Sequence, residues 1–340
     1  MPTILITGGT GFIGSHFAVE AISQGYDVVL IDNLANSSLH SLDSIAKITG
    51  VTVPFHEVDV RDTSKLTSVF KKYSFDSVVH FAALKSVPNS IKEPLEYESN
   101  NVGGTINLLE CMQDAGVFKF VFSSSATVYG DPSSVPIPES APTSYTNPYG
   151  HTKLVIEQIC QQLAAADPRW HVTLLRYFNP VGAHPSGVLG EIPRGVPGNL
   201  MPNILNAASG VTPTLMVTGN DYPTPDGTGI RDYIHIMDLV EAHVATLRKL
   251  QDMPGCTALN LGTGFGISVL EIVSMVEEVS GRKISINFIP RRPGDIAECY
   301  ADPSLAQTTL EWVARRDLRE MCSDAWNFHS QNSDGNKKPA

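Results

Sequence analysis

The first 32 residues confine this chain to a narrow set of folds. TILIT is an apolar strand, GGTGFIG a glycine-rich turn, SHFAVEAIS a helix stopped by Gly25, and DVVLID a second strand. Gly9, Gly11 and Gly14 satisfy G-x-G-x-x-G, and Gly8, Gly11 and Gly14 satisfy a G-x-x-G-x-x-G spacing. A side chain there would hold the backbone off a pyrophosphate, or keep the helix from packing closely on its strand. The phosphates then fall on the exposed N–H groups and positive end of the following helix. A glycine pattern alone is an ordinary tight turn; here it leaves an apolar strand and leads, through a second strand, to Asp32. That carboxylate accepts from a ribose diol and repels a 2′-phosphate, so the expected cofactor is NAD rather than NADP.

Strand and helix patterns alternate through the first half. TILIT, DVVLI, VTVPFHEV, SVVHFAA, KFVFSSS and VTLLRYF read as strands, with TSKLTSVFKKY and PLEYESNNVGGTINLLECMQDAG as helical segments between them. The expected fold is α/β, a Rossmann-type doubly wound parallel sheet with a smaller mixed α/β substrate domain. Ligands of such sheets bind at the carboxyl ends of the strands. The glycine loop, Asp32, Asp59, FAALK (81–85), SSSAT (123–127) and FNP (178–180) all fall there. Beyond residue 180, NPVGAHPSGVLGEIPRGVPGNLMP is too rich in Gly and Pro for the sheet and too apolar for a disordered linker. The chain divides into a dinucleotide domain at 1–179 with a returning segment at about 232–264, a substrate domain at 180–231 and 265–330, and a polar tail at 331–340.

NPYGHTK, residues 147–153, places Tyr149 four residues before Lys153, one above the other on a helix face. Asn147 and Pro148 suit the N-cap and first turn. A phenol titrates near pH 10, too high for a base at neutral pH; a nearby ammonium is expected to lower it. Tyr-x-x-x-Lys arises by chance often enough that its weight comes from the glycine loop and the serine run.

The net charge of −11, without a basic cluster, argues against nucleic-acid binding. Five scattered cysteines form no C-x-x-C pair and no metal-like spacing, so reduced thiols, a cytoplasmic setting and no metal are expected. The N-terminus opens directly into a strand without a signal-peptide pattern, and no apolar run approaches membrane-spanning length.

TGGTGFIG, SSSATVYG (123–130) and NPYGHTK resemble the extended short-chain dehydrogenase/reductase family. FNPVGAHPSG, NLMP and GNDYPTPDGTGIRDYIHIMDL resemble its UDP-glucose 4-epimerase branch, and the likeness runs to about Trp326. The resemblance implies tightly held NAD, a homodimer, and reversible interconversion of UDP-galactose and UDP-glucose. The C4 hydrogen of a sugar is not acidic, so inversion needs transient oxidation to a 4-keto sugar that turns over before reduction.

By resemblance, Tyr149 is the base, Lys153 its partner and a contact of nicotinamide ribose, and Ser125 relays or orients the same proton. The cofactor positions so implied are Gly8, Gly11, Phe12, Ile13, Gly14, Asp32, Asn33, Leu34, Asn36, Ser37, Asp59, Val60, Phe81, Ala82, Ala83, Lys85, Asn100, Tyr149, Lys153 and Phe178. Asp59 is expected to accept from the adenine amine. The UDP-sugar positions are Ser125, Tyr149, Asn179, Asn199, Leu200, Arg231, Arg292, Asp295 and Cys299. Two arginines suit a diphosphate, through the planar guanidinium fork, and Asp295 suits ribose hydroxyls.

Thr218 stands where an aromatic residue is usual, Ala83 replaces a common glycine and His151 a common lysine. Cys299 stands where members confined to glucose and galactose carry tyrosine. A smaller side chain leaves room for an acetamido group, so UDP-GlcNAc/UDP-GalNAc interconversion is also expected. The competing readings are a nucleotide-sugar 4,6-dehydratase, an epimerase of another UDP-sugar such as UDP-glucuronate, and a regulator that senses NAD. Dehydratases carry acidic residues after the position of Ser125, where this chain has Ala126 and Thr127. UDP-glucuronate needs a further cation, for which Arg194 is the residue to watch. NAD-sensing regulators lose the Tyr-Lys pair, which this chain keeps.

Overall fold

The computed structural model describes residues 1–195, 197–292 and 294–333; of the expected tail, 334–340 lie outside the described residues. Six strands, β1 (Thr3–Thr7), β2 (Asp27–Asp32), β3 (Phe55–Glu57), β4 (Ser77–His80), β5 (Lys119–Ser125) and β6 (His171–Tyr177), join the strand Gly255–Leu261 in one parallel sheet. The order is Gly255–Leu261, β6, β5, β4, β1, β2, β3. The chain therefore reverses direction across the sheet between β1 and β4, the place where a doubly wound sheet opens a crevice.

The central strands are apolar on both faces because helices cover both. Ile4, Ile6, Leu30 and Val79 face one core with the helices α1 (Phe12–Ser23) and Ile236–Lys249. Leu5, Val29, Ile31 and Val78 face another with Leu108, Met112, Ile156 and Trp170. Burial on both faces removes the alternation that a half-exposed strand would show.

A third core gathers Val181, Met201, Ile204, Val217, Ile272, Val276, Met321 and Cys322. It lies among the helices Leu200–Ala208, Val269–Ser280 and Leu318–Ser333 and short two- and three-stranded sheets. The last helix runs through residue 333, into the stretch read as tail.

Two local departures from the sequence reading have physical causes. VTVPFHEV pairs only over Phe55–Glu57, following Pro54, which has no N–H to donate. The helical stretch from Pro94 to Asp114 contains a wide turn of π type at Glu98–Gly103. That extra width buries both Asn100 and Asn101. No helix among the described residues is long and apolar enough to cross a membrane.

Candidate active site

The glycine loop, Asp32, the turn after β4, Ser125 and Phe178 all lie at the carboxyl ends of strands of the seven-stranded sheet. Gly8, at φ +65, begins the turn after β1, and a Cβ there would lie 2.8 Å from the Ala82 amide nitrogen. A Cβ on Gly14 would lie 2.2 Å from the Gly8 carbonyl oxygen, so the helix can approach the turn only as glycine. Around Gly11 the sole close atom is the Gly8 carbonyl oxygen at 3.2 Å, so its outer side is open. Gly11 caps α1 without a side-chain hydrogen bond. The first-turn N–H groups of Phe12, Ile13 and Gly14 thus present a cradle shaped for a diphosphate, and the residues fit NAD.

Asp32 ends β2 and is buried. It accepts from the Leu34 amide (2.9 Å), the Ser37 hydroxyl (2.9 Å) and the Thr10 amide (3.2 Å), which fixes the loop through Asn33, Leu34, Asn36 and Ser37. A carboxylate offers about four acceptor sites, so one direction stays open for a ribose hydroxyl. Asp59 is more fully occupied, by three donors of Arg61 and by Asn33 Nδ2 at 3.0 Å. Its Arg61 partner holds the carboxyl well below the usual range. An adenine amine must therefore displace one of these donors.

Phe81, Ala82, Ala83 and Lys85 follow β4, and the turn is held by Asn101, whose Oδ1 accepts from the Leu84 amide (2.8 Å). Asn101 Nδ2 donates to the Leu84 carbonyl (3.0 Å) and to Thr152 (3.1 Å), locking this turn to the helix Pro148–Ala166. The sequence singles out Asn100 and not Asn101; the signal available was the pair of adjacent amides, Asn100 and Asn101, within one helical stretch.

Asn147 caps the helix Pro148–Ala166 by accepting from the Gly150 amide at 2.9 Å. Tyr149 and Lys153 share its face. Ser125, last residue of β5, accepts from the Thr127 amide at 3.2 Å. Thr127 Oγ1, beside it, is buried without a hydrogen-bond partner, which marks a polar position awaiting a ligand hydroxyl or water.

The electrostatics correct one expectation. Lys153 was expected to lower the Tyr149 pKa, but burial pushes the phenol up to about 12, against a smaller opposite pull from the Ser125 hydroxyl. Burial also brings the Lys153 ammonium down to about 7, while Glu157 one turn on pulls it back up. Lys153 Nζ donates to the Ser123 carbonyl at 2.5 Å. In the protein alone Tyr149 favours its neutral phenol, while Lys153 divides between its charged and neutral forms near neutral pH.

The substrate positions converge from the other side. Asn179 follows Phe178 and pairs in register with Tyr233. Asn199 and Leu200 open the helix Leu200–Ala208, and Asn199 Nδ2 donates to Glu191 at 2.7 Å. Arg231 and Asp295 form an ion pair at 2.6 Å. Both terminal nitrogens of Arg231 already meet protein oxygens, so a fork onto a diphosphate requires some of those bonds to exchange. Arg292 is exposed, its backbone carbonyl accepts from the Asp295 amide, and among the described site residues no side-chain hydrogen bond or ion pair reaches its guanidinium. Cys299 pairs in register with Arg231 and is buried with Phe178, Leu154 and Tyr129, its thiol pushed up to about 11 by burial. Arg194 donates to the Leu34 carbonyl at 2.8 Å, reaching the dinucleotide loop.

A cavity of about 1300 Å³ opens beside Glu191, Ile192 and Pro193, among Met201, Leu205, Trp326 and Phe328, and includes none of Ser125, Tyr149 or Lys153. Side-chain convergence, rather than cavity size, locates the chemistry. Among the described residues, no cluster of His, Cys, Asp or Glu is arranged to hold a metal ion.

A protein-family model described as GDP-mannose 4,6 dehydratase matches residues 5–325. A UDP-glucose 4-epimerase of Bacillus subtilis (strain 168) is 53% identical over 334 residues, covering 98% of each chain. The crystal structure of a UDP-glucose 4-epimerase from Stenotrophomonas maltophila, with bound NAD and formylated UDP-arabinopyranose, is similar with TM-score 0.96 and 48% identity, over 98% of this chain and 100% of that one. A Bifidobacterium longum UDP-glucose 4-epimerase in complex with NAD+ and UDP also gives TM-score 0.96 and 48% identity, over 98% of this chain and 99% of its own. Identity near one half over nearly the full length of these chains distinguishes between branches that share the broader family model. The chain therefore belongs to the family which that model describes and, within it, to the UDP-glucose 4-epimerases.

Proposed function

We propose that this protein is an NAD-dependent isomerase that interconverts UDP-galactose and UDP-glucose through a 4-keto sugar. The observation carrying the reading is the meeting of Ser125, at the end of β5, with the Tyr149–Lys153 face of the capped helix, beside the glycine cradle. When bound in that cradle, NAD would supply the reversible oxidation of C4 and the positive charge of its oxidised form.

Tyr149 takes the proton of the 4-hydroxyl and later returns it, and Ser125 orients that hydroxyl. A phenol held near 12 is a poor base at neutral pH, so the step needs positive charge close to Tyr149. Lys153 provides part of it when protonated. Arg231, Arg292, Asn179, Asn199 and Leu200 hold the UDP moiety, which leaves the sugar free to present either face. An acid is missing after Ser125, where Ala126 and Thr127 stand, so elimination of water has no proton donor there and the dehydratase reading is not favoured.

Finer features belong to the same reading. The protein divides into an NAD-binding domain at 1–179 with 232–264 and a UDP-sugar domain at 180–231 with 265–330. It acts as a cytoplasmic homodimer, for which the exposed Leu95 and Ile91 beside the Tyr149 helix offer apolar surface. The buried Cys299, in place of a phenol, opens the sugar site to N-acetylated substrates.

The test is an assay of purified protein, without added NAD, on UDP-galactose and separately on UDP-GalNAc, with products resolved by proton NMR. Turnover of both is expected. Turnover of UDP-galactose alone overturns the N-acetyl reading, and turnover of neither after NAD is supplied overturns the substrate assignment.

A further inference from the structure

Glu191 sits in the Gly- and Pro-rich loop, and the same carboxylate oxygen, Oε1, meets two donors from opposite sides of the site. Lys85 Nζ approaches it at 3.1 Å and Asn199 Nδ2 at 2.7 Å. Lys85 belongs to the turn after β4 on the cofactor side, whereas Asn199 leads the helix Leu200–Ala208 on the UDP-sugar side. The Glu191 side chain is 16% exposed and that of Lys85 is 56% exposed. An ion pair with one partner so open to water contributes little to stability, so its position needs another explanation.

The loop has other ties to the dinucleotide side. Ser44 donates to the Val188 carbonyl at 3.1 Å and Arg194 to the Leu34 carbonyl at 2.8 Å. Neither reaches Asn199. Among the described residues of this loop, Glu191 alone has a side chain bonded to expected contacts of both ligands.

We propose that Glu191 is a positioning residue that couples the two ligand sites, so that nucleotide held at Asn199 slows the loss of dinucleotide held near Lys85. The inference rests on the epimerase reading of Lys85 and Asn199. An ammonium has three donors, so Lys85 can bind a phosphate or ribose oxygen and still hold Glu191. Ordering the exposed Lys85 on one side fixes Glu191, and a fixed Glu191 orients the Asn199 amide. Each ligand thereby bears part of the ordering that the other requires, which makes the coupling positive. It must also be reciprocal. For an enzyme that must not release a ketone or its cofactor in mid-turnover, such coupling keeps the cofactor in place while substrate is bound.

The experiment measures the rate of NAD loss from purified holoenzyme by rapid gel filtration, with and without saturating UDP, together with UDP affinity by calorimetry. In the wild type, UDP is expected to slow NAD loss by roughly 10-fold, within the usual range of coupling between sites. Glu191→Gln retains an oxygen for Asn199 but removes the charge facing Lys85, and should bring the effect of UDP below about 3-fold. Ser44→Ala severs a different tie of the same loop and should keep the full effect. Should Glu191→Gln fail to fold, Glu191→Asp reads the same quantity, because the shorter acid cannot span both donors.

Full protection by UDP in the folded Glu191 variant overturns the proposal, as does equal loss of protection in Ser44→Ala. Absence of UDP protection in a wild-type holoenzyme that binds UDP also overturns it. Absence of bound NAD, or of any UDP binding, instead overturns the functional reading and the inference with it.

Discussion

Lys153 Nζ stands 5.9 Å from the centre of the Tyr149 ring, 4.6 Å from that of Phe122, and donates its short hydrogen bond to the Ser123 carbonyl. The two residues share a helix face, yet the lysine is anchored to β5 rather than to the phenol. Burial moves their pKa values apart, up to about 12 for Tyr149 and down to about 7 for Lys153. The pair is therefore placed for catalysis at the expense of its own charge state.

Lys153→Met should stabilise the protein while abolishing turnover. A folded pKa of about 7 against the ordinary 10.5 means that the unfolded chain binds the proton more tightly between those values. The resulting penalty is full below pH 7, on the order of a few kcal/mol, and fades as pH rises to 10.5. Thermal denaturation of variant and wild type without bound cofactor checks this. The variant should melt higher at pH 7, and the gap should narrow by pH 10. A lower melting point at pH 7 refutes the electrostatic account.

Tyr149→Phe should lower kcat by about 10³-fold or more, since it removes the group read as the base for the 4-hydroxyl proton. The affinity for UDP should change little, because the expected UDP contacts lie on other elements. Steady-state kinetics with UDP calorimetry separates these. A kcat within tenfold of wild type would mean that Ser125 or Lys153 handles the proton instead.

Much of the cofactor crevice was legible before the coordinates because it depends on backbone rules. The spacing of Gly8, Gly11 and Gly14, an acid ending the second strand and an Asn-Pro cap ahead of Tyr149 each state a local geometry. Parallel strands then carry all of them to one edge. What stayed hidden depends on long-range pairing. Nothing in GVLGEIPRG shows that Glu191 will meet Lys85, more than one hundred residues away. The Arg231–Asp295 ion pair is equally silent, since both residues were read as ligand contacts rather than as partners. The Tyr149 pKa was misjudged because helical spacing gives proximity but not burial, and burial is the larger effect here.

Glu157→Gln should destabilise the protein by about 3–5 kcal/mol, the usual result of leaving one member of a buried pair unmatched. Glu157 and Arg176 form a two-pronged pair at 2.6 and 3.0 Å, with side-chain exposures of 1% and 4%, and Ser124 donates to the same carboxylate at 2.5 Å. The carboxylate also pulls the Lys153 pKa upward. Its loss should therefore move the alkaline limb of the activity profile to lower pH, since the lysine loses its charge sooner. Unchanged melting and an unmoved limb would both contradict this account.

Cys299→Tyr should lower turnover of UDP-GalNAc at least tenfold while keeping turnover of UDP-galactose. The thiol is buried with Leu154, Phe178, Tyr129 and Ile137 behind it, and its strand is fixed by pairing with Arg231. A ring forced in among these packed residues would cost about 1–3 kcal/mol. On the reading of Cys299 as a sugar contact, the added phenol takes the space of an acetamido group. Cys299→Ala is the counterpart, since it removes the thiol without filling the space. It should retain N-acetyl turnover if volume is the cause, and lose it if the sulfur itself contacts the substrate. Parallel assays of both variants on the two substrates, with melting temperatures to confirm folding, decide between these. Wild-type rates on UDP-GalNAc in the tyrosine variant would remove Cys299 from the account of specificity.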